Sequence, residues 1–96
     1  MKVFKYPLKF DGTLQTIVLP QDSEILDVEF QGEELFIWVL IDEKCQILIK
    51  QRIQMLGTGW NYQHPIECMN HIKTIHKDGF VWHFFDVGMS TLEEGE

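Results

Sequence analysis

The chain has 96 residues, 45% of them apolar and 12% aromatic, and a formal net charge of −7. That is enough for one domain with its own core, and it excludes a disordered chain and a miniprotein that needs disulfides or a metal to fold. The acid excess argues against direct nucleic-acid binding, and no apolar run reaches the ~20 residues of a membrane span.

Val3 to Phe10 alternate imperfectly around Tyr6-Pro7. Proline cannot donate to a ladder, so this segment is predicted as an edge strand. Asp11-Gly12 is a hairpin signal joining it to a second strand, Leu14 to Leu19, which Pro20 ends. After a loop at Gln21-Asp22-Ser23, the stretch Ile25 to Phe30 alternates again. Leu26, Val28 and Phe30 are expected on the buried face, with Asp27 and Glu29 in water. Gln31-Gly32-Glu33 then turns the chain into Glu34 to Asp42. The seven consecutive apolar residues there are too few for an independent helix and rich in β-branched and aromatic types. They predict a central strand covered on both faces, by Leu35, Ile37, Val39 and Ile41 on one side and Phe36, Trp38 and Leu40 on the other.

Gln46 to Leu56 has period two, with Lys50, Arg52 and Gln54 opposite Ile49, Gln51, Ile53 and Met55. Composition alone also permits a helix from Ile47 to Leu56, but the flanking turns favour a strand. Two glycines and a proline make Gly57 to Pro65 a long loop. Asn70 to His76, a turn at Lys77-Asp78-Gly79, and Phe80 to Val87 read as a final hairpin. The segment from Gly88 onward reads as an acidic tail. The expectation is all-β: a single-domain antiparallel sandwich or partly closed barrel of six to eight short strands over residues 1–88, followed by a tail over 89–96. The first residues lack the apolar segment of a signal peptide, which predicts a cytoplasmic protein. Cys45 and Cys68, with no Cys-x-x-Cys pairing, are expected to be small packed thiols.

No motif points to catalysis, so the chain is expected to act by binding and not as an enzyme. There is no Gly-x-Ser-x-Gly elbow, and the many carboxylates single out no acid–base pair. His64, His71, His76 and His83 lack the ligand spacing of a zinc motif; no metal and no cofactor are implied. If the last turn has two residues, His76 and His83 fall diagonally on one face. Two binding surfaces remain. One is the Gly57 to His64 loop with the final hairpin. There Thr58 and Gly59 offer polar groups to a phosphate, Trp60 and Tyr62 offer stacking faces, and His64 and His83 stand nearby. The other is acidic: nine carboxylates and no Lys or Arg lie from Phe10 to Glu43, with Asp27, Glu29, Glu33 and Glu34 at its centre. A surface of one sign steers basic partners.

Five stretches in order, Phe4-Lys5-Tyr6-Pro7-Leu8, Thr16-Ile17-Val18-Leu19-Pro20, Leu35-Phe36-Ile37-Trp38-Val39-Leu40-Ile41-Asp42, Gly57-Thr58-Gly59 and Gly79-Phe80-Val81-Trp82-His83-Phe84-Phe85-Asp86, resemble a family of short, uncharacterised phage-encoded proteins. In that family pattern a histidine and proline follow Gly-Thr-Gly directly; here Trp60 follows, and His64-Pro65 comes later. The resemblance implies a setting, the cytoplasm of an infected host, and no activity. It suggests a host-interaction or anti-defence factor whose acidic surface engages a basic host protein. The alternative is a protein that sequesters a nucleotide signal at the Gly57 to His64 loop, in a homo-oligomer that builds the pocket between chains. A minor structural protein of the virion is the third possibility.

Overall fold

The computed structural model describes residues 1–92. Seven strands form two antiparallel sheets: β1 (Lys2–Leu8), β2 (Gln15–Pro20), β3 (Ser23–Gln31), β4 (Glu34–Ile41), β5 (Leu48–Gly57), β6 (Asn70–Lys77) and β7 (Phe80–Thr91). One sheet has the order β1-β4-β3, the other β2-β5-β7-β6, and they do not close into a barrel. A 3-10 turn, Ile66–Cys68, interrupts the long loop between β5 and β6.

Alternation decides which residues meet between the sheets. Leu8, Val28, Leu35, Ile37, Val39 and Ile41 from the first sheet pack against Leu19, Ile49, Ile53, Met55, Ile75 and Phe84 from the second. Phe84, Ile37 and Val39 lose essentially all solvent contact, each stabilising the fold by roughly 1.5–3 kcal/mol through burial. The period-two pattern of β5 places Ile49, Gln51, Ile53 and Met55 inward as expected, and no helix forms there. The last hairpin also has the expected two-residue turn, with Lys77 opposite Phe80 and His76 opposite Val81. Asp78 (φ +55°) and Gly79 (φ +81°) both adopt the left-handed backbone that such a turn demands.

Five expectations are corrected. Asp11-Gly12 turns the chain but makes no hairpin, because β1 pairs with β4 and β2 with β5. The turn instead carries the chain from one sheet to the other. Asp11 Oδ1 accepts bonds from the backbone N–H and hydroxyl of Thr13, and the Gln15 amide braces the N–H and carbonyl of Lys9. In β3 a bulge between Ile25 and Asp27 leaves Leu26 outside the core and turns Ile25 toward it. In β7 the strand continues past Gly88 to Thr91, so residues 89–91 pair with β5 and are no tail; 93–96 lie outside the described residues. Finally, β4 is buried on one face alone: Phe36, Trp38 and Leu40 are half-buried on the outer side of their sheet. The cysteines are free, and Cys68 is exposed where packing was expected.

Two buried amides hold irregular backbone in place. Gln51 Nε2 donates to Asp86 Oδ1 (2.7 Å) and to the carbonyls of Gly88 and Arg52, pinning the irregularity in β7 to β5. Gln54 Nε2 donates to the Gly12 carbonyl at 3.0 Å and so fastens the crossing loop. Rings close this end of the core. Phe10 meets Phe30 and Trp82 edge-on, each at 5.0 Å between centroids, and Trp60 meets Trp82 at 5.6 Å.

Trp60 lies directly over Gly57, where an added Cβ would sit 2.8 Å from the indole and 3.1 Å from Trp82. Gly57→Ala is therefore expected to cost about 1–3 kcal/mol of stability by overpacking. Trp60→Ala in the same chain should recover part of that loss. Urea unfolding of the four proteins of this double-mutant cycle checks the contact, and purely additive losses would show that Trp60 does not press on Gly57.

Candidate functional site

The uncovered face of β4 defines the first surface. Register sets its composition: Lys5 and Asp27 flank Trp38 from β1 and β3, Pro7 and Glu29 flank Phe36, and Val3 and Glu24 flank Leu40. Phe36 and Trp38 meet edge-on with centroids 6.1 Å apart, and Lys5 Nζ stands 4.3 Å above the Phe36 ring. Val3 and the bulged Leu26 add exposed apolar area at either margin. The result is an aromatic and aliphatic stripe bordered by carboxylates along β3. Sequence reasoning missed Phe36, Trp38 and Leu40 as surface residues. Both faces of β4 are apolar, so nothing local distinguishes the one that stays open.

Most of the predicted acidic surface is already engaged within the chain. Lys73 on β6 reaches across to β3, its Nζ 3.1 Å from Asp27 Oδ1 and 3.6 Å from Glu29 Oε2. Lys77 pairs with Glu33 at 3.4 Å, and its ammonium lies 4.9 Å over the Phe30 ring. The hydrogen bond that Lys73 donates to Asp27 holds its amine above the ordinary range; desolvation opposes this, and the charges of Asp27 and Glu29 reinforce it. Glu34 from the predicted surface, at the start of β4, and Glu24, opposite Leu40 near the other end of that strand, make no ion pair among the described residues. They are the carboxylates of this face left for an outside partner.

The outer face of the other sheet carries a row of polar side chains. Thr58 Oγ1 is 2.8 Å from His83 Nε2, His83 Nδ1 is 3.1 Å from Thr74 Oγ1, and Thr74 Oγ1 is 2.8 Å from His71 Nε2. Each hydroxyl can donate to one neighbour and accept from the next, so the row can relay hydrogen-bond direction from β5 across β7 to β6. Thr58 and His83 thus come together as expected, whereas His76 takes no part and His71 occupies the end of the row. Thr74 was not foreseen; its place opposite His83 follows from the two-residue turn, whose register pairs Lys77 with Phe80 and so Thr74 with His83.

The remaining loop residues divide. Gly59 and Trp60 lie in a tight turn in which the Trp60 N–H donates to the Gly57 carbonyl. Trp60 covers the end of the core instead of standing free as a stacking platform, although half of its surface stays exposed. Tyr62 and His64 pair with each other, centroids 5.7 Å apart, and no hydrogen bond joins them to Thr58 or His83 among the described residues. No group of three or more His, Cys, Asp or Glu side chains is placed to hold a metal among those residues, and no helix is long and apolar enough to cross a membrane.

Fold and surfaces together define a small all-β protein of two facing antiparallel sheets with contrasting outer faces. The chain belongs to the family described as a domain of unknown function (DUF7352), whose model matches residues 1–93. Comparison with curated proteins and with solved structures gives no match.

The Lys73 bridge has a defined pH signature. A folded-state value raised above 10.5 means that its contribution is fully present below 10.5 and is lost as pH rises through the higher folded value. In urea unfolding, wild type should exceed Lys73→Met by a small margin, about 0.2–1 kcal/mol, that is constant from about pH 7 to about pH 9. The margin should shrink above 10.5. A margin that persists to strongly alkaline pH would show that the lysine acts through its packed stem and not its charge.

Proposed function

We propose that this protein acts by binding, and that its partner is a protein with a basic surface that docks on the outer face of the β1-β4-β3 sheet. The observation that carries this reading is the half-exposed Phe36–Trp38–Leu40 stripe, lying beside carboxylates on the central strand of a sheet that no further layer covers. Tryptophan with a desolvated apolar surround is the residue type that dominates binding energy at interfaces. An acidic border steers a basic partner and raises its association rate. The resemblance to phage-encoded proteins supports a setting in the host cytoplasm, where such a surface serves a host-interaction or anti-defence factor by occupying the basic groove of a host protein.

A second reading keeps the nucleotide-signal alternative. It is supported by the Thr58–His83–Thr74–His71 row, which presents hydroxyls and imidazoles at the end of the Gly57 to His64 loop. It is weakened by Trp60, whose packing on Gly57 and Trp82 takes away much of the stacking surface that a base would use.

The two readings separate with three purified proteins: wild type, Trp38→Ala, and the double variant Glu24→Lys/Glu34→Lys. The double variant reverses charge on this face without disturbing the Lys73 and Lys77 bridges. Each is immobilised and tested against a panel of basic host nucleic-acid-binding proteins, from about 50 mM to about 500 mM salt, with nucleotides as a parallel panel. The expected outcome is a salt-sensitive partner whose affinity falls at least tenfold, about 1.4 kcal/mol, in both variants. Partners that bind all three proteins alike would sink the docking face, and nucleotide binding lost in Thr58→Ala would move the function to the other sheet.

A further inference from the structure

We propose that the open cleft between the two sheets, at the end where β6 begins, is a binding site for an organic cation carried on an alkyl stem. The cleft encloses about 400 Å³, within the range of small-molecule sites. It lies where β3 and β6 both carry bulges, whose extra residues Leu26 and Ile72 line it.

Ile25 from β3, Ile49 from β5, Ile72 from β6 and Met89 from β7 supply its apolar surface, beside polar surface from Ser23 and Asn70. Its charged groups are the carboxylates of Asp86 and Glu24, and no lysine or arginine lines it. His71 is present, but its Nε2 is already bonded to Thr74. Such a lining repels anions and favours a cation whose stem lies along the isoleucines.

Asp86 is the group placed to receive the charge. Its Oδ1 accepts the Gln51 side-chain amide at 2.7 Å and the Gly88 N–H at 2.8 Å, which hold the carboxylate in one orientation. Its Oδ2 makes no hydrogen bond among the described residues, yet it is not sealed from solvent and its residue lines the cleft. Gln51 is only 6% exposed, so the donor that orients Asp86 is itself fixed by the core. The bulge in β7 explains the Oδ1 contacts; it leaves Oδ2 without a structural task.

Ammonium on an apolar stem is offered by a free diamine and by a lysine side chain of a polypeptide. In the second case the site rests on, and deepens, the reading of a basic partner. The test uses the protein alone and reads the Gln51 and Gly88 amides, so its outcome does not depend on a partner docking over Trp38. ¹⁵N-labelled protein is titrated at low salt with cadaverine, with Nα-acetyl-lysine-N-methylamide and with hexanoate. The expected result is saturable shifts of the Gln51 side-chain amide and the Gly88 amide, at about millimolar amine, with no response to hexanoate. Tighter binding of the blocked lysine assigns the site to a side chain, and tighter binding of cadaverine assigns it to a free amine.

Asp86→Asn keeps an oxygen for Gln51 and Gly88 and should weaken amine binding at least tenfold. Leu26→Lys, at an exposed position on the rim, places a tethered ammonium at the mouth and should weaken it severalfold with Asp86 intact, even if the first variant misfolds. Absence of saturation by about 10 mM amine, equal binding of hexanoate, or an amine response unchanged in the folded variants would overturn the proposal.

Discussion

Each of the two sheets has just one face that the other can cover, and this single apolar interface sets the terms for the rest of the molecule. Phe84 and Met55 from one side, and Ile37 and Val39 from the other, make a contact with no solvent access. Because two layers share one interface, both outer faces stay at the surface. The apolar outer face of β4 and the histidine row of β7 therefore lie on opposite sides of a common core. Close packing there also makes the strands rigid supports for whatever their outer side chains do.

Polar groups work at the margins of that interface, where regular pairing fails. Gln51 and Gln54 are buried amides on β5, a strand paired on both sides, and both are spent on backbone that no ladder serves. A buried amide without such partners would be costly, so these bonds are conditions for the irregularities and not additions to them. The bulges in β3, β6 and β7 then have a shared effect. They interrupt the ladders at one end of the inter-sheet space, beside the cleft that Asp86 lines.

Electrostatics follow topology more than composition. The acidic block of the first half looks like one surface in sequence, but the edge-to-edge approach of β3 and β6 brings lysines from the second half onto it. Exposed pairs of this kind contribute little stability. Their larger consequence is to remove three carboxylates from the set available to a partner and to leave Glu24 and Glu34 beside the tryptophan stripe. The Trp60 loop shows the same rule: a segment whose residue types suit ligand binding is drawn on to close the core, because Gly57 and Gly12 leave room for an indole.

What the sequence by itself determined was local. Period-two alternation located β3 and β5 and the uninterrupted apolar run located β4, each to within a few residues, and Asp78-Gly79 specified the turn of the final hairpin because only residues tolerant of left-handed backbone fit there. Thr58 and His83 could be grouped because one lies just past β5 and the other on a strand of the same late segment. Tertiary structure alone decided which strands share a sheet, which face of β4 remains uncovered, where β3 and β7 bulge, and which lysine meets which carboxylate. The physical reason is that alternation reports which residues share a face and says nothing of what lies over it. Strand pairing and cross-sheet ion pairs join residues tens of positions apart, through contacts that exist only once the core has brought them together.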